Sequence, residues 1–345
     1  MSGRTLRTVL AAPVCALLAC ATAPAVHQPR STPGALRSFS TELEGRWIGN
    51  GIAYGMHRDG QSPTGAQPTR AQLTEDLKLL SKRWSFLRMY DASPTAELAL
   101  QIIHDEKLPL VAMLGCWIAP EAKTAAGKEP GAGDPHPEGV AANRAEVERC
   151  VKIANAHPAE VRAIIVGNET QINWSDHRCG PAVLIRALRE VRSRTTQPVT
   201  TADDFGFWVT EESLAVAAEI DFLDVHAYGM WAGQQLENAL AFTQEKLAAV
   251  GQRHPGRVLT LGEFGWATMR SNEGEQAKLI KGKYGEPEQT AFFEQSITWT
   301  TREKLTNFWF EAFDENWKGG AHPDEVEKHW GLYRADRSPK QAVAK

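Results

Sequence analysis

Two glutamates stand where an apolar run ends. Residues Val161-Arg162-Ala163-Ile164-Ile165-Val166-Gly167 lead into Asn168-Glu169, and Val258-Leu259-Thr260-Leu261-Gly262 leads into Glu263-Phe264-Gly265-Trp266. Glutamate is depleted in strands, and burying a polar group is costly unless it has a partner or a use. A pair of carboxyl groups can flank one bond, the first giving a proton to a leaving oxygen while the second, ionised, attacks from the far side. Glycosyl transfer requires such a pair, and a separation of roughly 5–5.5 Å gives retention through a covalent intermediate. No metal or organic cofactor is implied, because two carboxylates suffice and no His/Cys cluster accompanies them.

For both carboxylates to meet at one bond, their strands must open at the same end of one sheet. Strand-like apolar runs occur at 47–54, 85–91, 108–115, 161–169, 198–203, 220–228, 257–266 and 306–315. Between them, apolar spacing near 3.6 predicts helices over 71–83, 94–106, 144–156, 181–193, 211–219, 236–250 and 287–301, the second entered through Ser93 as N-cap with Pro94 at the first helical position. Continuous apolar strands mark a sheet covered on both faces. Eight such units in about 300 residues predict one (β/α)8 TIM barrel over 45–341, an open doubly wound sheet being the alternative. Loops after the strands build a barrel's active site. The segment 117–139, with Pro130, Pro135 and Pro137, is too rich in breakers for a helix and reads as a rim over a cleft or a floppy insertion.

The first 19 residues read as an export signal: Arg4 and Arg7 precede an apolar stretch too short to cross a bilayer. Leu17-Leu18-Ala19-Cys20 also resembles a bacterial lipobox. On that reading Cys20 carries the lipid, 20–44 is a flexible tether rich in Ala, Pro, Ser and Thr, and the protein is held at a bacterial cell-envelope membrane. A plain signal peptide with a chance cysteine is the alternative. The net charge of −4, with no basic run, leaves no nucleic-acid footprint, and no protein partner is implied. Cys116, Cys150 and Cys179 follow the tether; an odd number permits one disulfide and one leftover thiol, and their spacing leaves the pairing open.

Asn-Glu closing strand four and Glu closing strand seven resemble clan A of the retaining glycoside hydrolases. Gly51-Ile52-Ala53-Tyr54, Gly60-Gln61-Ser62-Pro63, Leu87-Arg88-Met89-Tyr90-Asp91, Phe310-Glu311-Ala312-Phe313-Asp314-Glu315-Asn316-Trp317-Lys318 and His329-Trp330-Gly331-Leu332-Tyr333 extend the resemblance. Together they are similar to glycoside hydrolase family 17, the 1,3-β-glucanases, and to its bacterial branch. The resemblance implies Glu169 as acid/base, Glu263 as nucleophile, and Asn168 bonded to the sugar 2-hydroxyl. It implies that Arg88 and Tyr90 orient the nucleophile or the sugar, and that Glu315 and Lys318 adjust charge and contact hydroxyls. After strand six the chain reads His226-Ala227-Tyr228-Gly229-Met230-Trp231. There His226 would hydrogen-bond Glu263, and the segment departs from the Pro-Tyr-Trp of the family pattern.

Of eleven tryptophans, Trp117, Trp174, Trp208, Trp231, Trp266 and Trp317 fall just after strands, while Trp47, Trp84, Trp299 and Trp309 read as core. Indole rings stack on the apolar faces of sugars, so Trp117, Trp231 and Trp266 are the expected platforms. The expectation is a retaining hydrolase of β-1,3-linked glucan. Its rivals are a transglycosylase using the same intermediate, another clan A linkage, and a non-catalytic glycan-binding lipoprotein.

Overall fold

The computed structural model describes residues 35–123 and 133–344; the signal and Cys20 lie outside the described residues. Eight parallel strands close in chain order: β1 (Asn50–Ala53), β2 (Phe86–Arg88), β3 (Val111–Cys116), β4 (Val161–Asn168), β5 (Val199–Asp204), β6 (Leu223–His226), β7 (Leu259–Phe264) and β8 (Asn307–Trp309). Pairing of β8 with β1, Asn307 opposite Asn50, shuts the barrel and excludes the open sheet. The two-residue period of the strands divides their apolar side chains. Val111, Met113, Ala163 and Ile165 join Phe86, Phe222 and Phe308 in a small inner cluster. Ala112, Leu114, Cys116, Ile164 and Val166 belong to the larger cluster shared with the helices.

Helix α1 (Arg70–Leu80) opens with a reciprocal capping box between Thr69 and Gln72. Helix α2 (Pro94–Asp105) is capped by Ser93, whose hydroxyl accepts the Ala96 N–H at 3.2 Å, with Pro94 in its first turn. Then come α3 (Pro137–Ala156), α4 (Pro181–Arg194), α5 (Phe205–Trp208), α6 (Ser213–Ala217), α7 (Leu236–Arg253), α8 (Gly274–Leu279) and α9 (Glu286–Glu303). Helix α3 starts well before residue 144, inside the segment expected to be non-helical. Proline breaks a helix only in its interior; at the first position its missing N–H costs nothing. Just before α3, Ala122–Lys123 pairs antiparallel with Asp134–Pro135 on the rim.

The composition-based tether also ends earlier than residue 44. The Arg37 N–H donates to Asp221 Oδ1 at 2.7 Å, and its guanidinium donates to the Gln197 and Arg192 carbonyls. Phe39 stacks on Phe222 at 4.1 Å, and Glu42–Leu43 pairs with Arg46–Trp47. This segment plugs the barrel floor, where alternation is too short to register as an element. At the other end the fold runs through Val343, which is buried and whose carbonyl accepts from Arg83.

Candidate active site

Strands β2, β4, β6 and β7 deliver their C-terminal residues around one guanidinium. Arg88, 1% exposed, donates to Glu263 Oε1 at 2.5 Å and to Asn168 Oδ1 at 2.6 Å. It also faces His226 Nε2 at 3.1 Å, lies 3.5 Å from Asp224 Oδ2, and sits 4.7 Å above the Tyr90 ring. Gly262 makes room for this arrangement, since a Cβ there would stand 2.6 Å from the Asp224 carboxyl.

A guanidinium can only donate, so Arg88 fixes two ambiguous neighbours. Asn168 must turn its oxygen to Arg88, leaving its NH2 to donate elsewhere. His226 must accept at Nε2, so its neutral ring carries the proton on Nδ1. That nitrogen lies 2.8 Å from Glu169 Oε1 and 3.6 Å from Glu263 Oε2. The hydrogen bond expected from His226 to Glu263 therefore goes to Glu169 instead; 3.6 Å is too long for one. Burial opposes charge on His226, but Glu263 and Glu169 raise its pKa above the ordinary imidazole value.

Glu263 is 4% exposed and also accepts the Tyr228 hydroxyl at 2.6 Å. Burial pushes its carboxyl up; His226, Arg88, the Tyr228 hydroxyl and Lys318 outweigh burial and hold it below the usual carboxylate range. Glu169 leaves β4 through a turn in which Gly167 has φ 78° and Glu169 itself φ 50°, a region uncommon outside glycine. The turn is pinned by the Glu169 N–H on the Ala202 carbonyl and the Gln171 N–H on Asp203 Oδ2, each at 2.8 Å. One carboxyl oxygen of each glutamate and a His226 nitrogen lie within 4.8 Å of one another. Two carboxylates and an imidazole could hold a metal ion, but the Arg88 cation already on Glu263 opposes one.

Beyond β8, Lys318 Nζ lies 2.6 Å from Glu311 Oε2 and 2.8 Å from Glu315 Oε2, and the Trp317 indole donates to Glu315 Oε1 at 3.0 Å. Burial pushes the Glu311 carboxyl well up, with Lys318 opposing, whereas Lys318 holds Glu315 low despite the burial of Glu315. A Cβ on Gly55 would stand 2.2 Å from Glu315 Oε2, so glycine is required beneath it. Glu315 and Lys318 thus form a buried ion cluster beside the site, in which Glu315 is 1% exposed.

The tryptophans divide. Trp117, Trp174 and Trp317 are 36%, 60% and 39% exposed, and Trp231 is half-buried against the core. Trp266 is fully buried, its N–H on the Lys283 carbonyl at 3.0 Å and its ring 5.5 Å from Phe292. The platform expected at Trp266 is therefore core, as is Trp208; the residue after a strand can fold back onto the helix layer, which sequence position does not reveal.

Sequence reasoning missed three groups. Glu311 lies inside the Phe310–Lys318 segment, where nothing in the residue pattern distinguishes it from its neighbours. Glu327 is half-buried, its carboxyl pushed up to about 7 by burial, with Lys318 opposing and Glu169 and Glu263 adding to the rise; its one signal was proximity to His329-Trp330-Gly331-Leu332-Tyr333. His177 donates from Nε2 to the Asn168 carbonyl at 2.8 Å and sits 4.7 Å from the Trp117 ring, and no sequence pattern marks it.

Residues 51–331 match the family described as BtgE/BtgC glycoside hydrolase domain. The chain is 25% identical over 305 residues to a glucan 1,3-beta-glucosidase of Arthroderma benhamiae, covering 84% of this chain and 88% of that one. In fold it is similar to an endo-laminarinase from Formosa Hel1_33_131, with TM-score 0.71 and 24% identity over 86% of this chain and 87% of that one. It is also similar to a glycoside hydrolase family 17 beta-1,3-glucanosyltransferase from Rhizomucor miehei, with TM-score 0.66 and 22% identity over 85% and 96% of the two chains. An active-site mutant of the Rhizomucor enzyme is known in complex with laminaritriose. With its closed barrel, its paired glutamates and a family match across nearly the whole barrel, the chain belongs to the BtgE/BtgC glycoside hydrolase family and is a glycosidase.

Proposed function

We propose that the protein cleaves β-1,3-linked glucan with retention of configuration, Glu263 being the nucleophile and Glu169 the acid/base. The observation that carries this reading is the approach of the two carboxyls to within 4.8 Å in unlike surroundings. That spacing suits the roughly 5–5.5 Å of a retaining pair and is too short to seat the water of an inverting one. Arg88 and Tyr228 each donate to Glu263 and keep it ionised, as a nucleophile must be. Glu263 attacks the anomeric carbon while Glu169 protonates the departing oxygen. Glu169 then takes a proton from the incoming water, which displaces the Glu263 carboxylate. The NH2 of Asn168 donates to the 2-hydroxyl oxygen, and Trp117, whose ring is backed by His177, receives a sugar face. The named activities of similar proteins on 1,3-β-glucan support the substrate.

The test is a pair of variants. Glu263→Ala abolishes turnover of laminari-oligosaccharides, and azide restores partial activity to Glu169→Ala by resolving the intermediate as an external nucleophile. Full activity in either variant ends the assignment. A second reading, transglycosylation, is favoured by the exposed rim rings of Trp117, Trp174 and Trp317, which would hold a sugar acceptor in place of water. Products longer than the laminari-oligosaccharide supplied would establish it; shorter products alone would exclude it. The lipobox-like Leu17-Leu18-Ala19-Cys20 supports lipidation of Cys20 in a bacterial envelope; a radioactive fatty acid labels the wild type and not Cys20→Ser.

A further inference from the structure

We propose that Cys116 and Cys150 are joined as a disulfide in the mature protein, with Cys179 left as a free thiol. Helix α3 runs antiparallel to the chain leaving β3, and polar contacts set the register. Asn143 accepts the Ala119 N–H at 2.7 Å and donates to the Ala119 carbonyl at 2.9 Å. Further along, Glu146 Oε1 accepts the Trp117 N–H at 3.1 Å. Residues 143, 146 and 150 share one helix face, while their partners step back from 119 to 117. The next rung sets Cys150 against Cys116, the last residue of β3, whose side chain faces the helix layer. The two side chains are neighbours close enough to perturb one another, and both are fully buried as free thiols in this structure. Cys179 lies elsewhere, its Sγ 3.8 Å from the Gln171 amide after β4. Geometry therefore selects one of the pairings the sequence left open.

The chemistry requires a disulfide-bearing oxidant. One cysteine thiolate attacks it and expels a thiol; the second thiolate then displaces the other half from the mixed disulfide. In balance, two thiols lose two protons and two electrons, and the oxidant's disulfide becomes two thiols. In the folded chain both sulfurs are buried and out of reach of an external disulfide, and the Cys150 contact and burial raise the Cys116 thiol well above its ordinary value. The bond must form before the barrel closes, and a chain folded in the reduced form stays reduced. In the exported protein, this rests on the reading of 1–19 as a signal. The link ties β3, directly beneath the Trp117 rim, to α3.

Two arms test the pairing. Full-length chain recovered from the envelope is denatured with an alkylating reagent and no reductant, then mapped by peptide mass spectrometry. Separately, the full chain is reduced in denaturant, refolded in a reduced/oxidised glutathione buffer to a species with a cooperative melt, and mapped in the same way. The expected result in both is a peptide linking Cys116 to Cys150 and an alkylated Cys179. A linked refolded chain beside a reduced cellular chain would overturn the bond in the mature protein and the export reading with it, showing only that the fold permits the pairing. Folded protein from the glutathione arm with both Cys116 and Cys150 alkylated, or with either joined to another cysteine, overturns the proposal.

Discussion

Tyr228→Phe isolates the electrostatics of the nucleophile. The substitution removes one oxygen and keeps the ring, which packs at 5.1 Å on Trp330 and 5.8 Å on Phe310, so the fold should be unaffected. What is lost is one of two direct donors to Glu263, the 2.6 Å hydroxyl bond to Oε2, while Arg88 remains on Oε1 at 2.5 Å. A hydrogen bond to a charged group is worth about 1.5–3 kcal/mol, and about 1.36 kcal/mol corresponds to one in pKa. The hydroxyl stabilises the ionised carboxylate, so its loss raises the Glu263 pKa, and the nucleophile is protonated at a higher pH than before. The acidic limb of kcat/KM, measured with a laminari-oligosaccharide between pH 3 and 8, should therefore move up by about 1–2 in pH. Activity near the optimum should fall less than activity at low pH, and the melting temperature should stay the same. An acidic limb that does not move, at unchanged stability, would show that the Tyr228 bond does not set the charge of Glu263.

Three further substitutions probe the rim, the core and the buried carboxyl that holds the turn after β4. Trp117→Ala should raise KM for laminari-oligosaccharides by about 5–30-fold, the equivalent of about 1–2 kcal/mol, without lowering the melting temperature; an unchanged KM removes Trp117 from the substrate path. Trp266→Ala should instead destabilise the fold by about 3–5 kcal/mol in urea unfolding, leaving the KM of the folded fraction unchanged. Asp203 is fully buried, its carboxyl pushed up to about 7 by burial, with the Gln171 and Asp204 amides opposing. The folded state therefore keeps a proton that the unfolded chain releases near pH 4, so the contribution of Asp203 to stability is full below pH 4 and is lost as pH rises through 7. On the order of 2–4 kcal/mol of that pH dependence should vanish in Asp203→Asn when unfolding at pH 4.5 and pH 8 is compared; an equal slope in wild type and variant would contradict it.

What the sequence determined was the repeating unit and the two chemical landmarks. Strands buried on both faces must be continuously apolar, and helices covering them must be amphipathic, so the eightfold alternation is written in residue types alone. A glutamate directly after such a run has only the barrel mouth to occupy, which located Glu169 and Glu263. Local rules also held at Ser93 and Pro94, where a cap and a fixed φ depend on neighbours in the chain. Contacts across the barrel were settled only by the fold. Arg88, Asn168, His226 and Glu263 come from four strands, and the direction of the His226 hydrogen bond depends on a guanidinium 138 positions away. The same holds for Trp266, whose burial depends on α9, for the docking of Arg37 on Asp221, and for the third carboxylate at Glu327. Periodicity reports which face of an element is apolar; which distant side chains meet, and so which charges shift, follows from closure of the sheet.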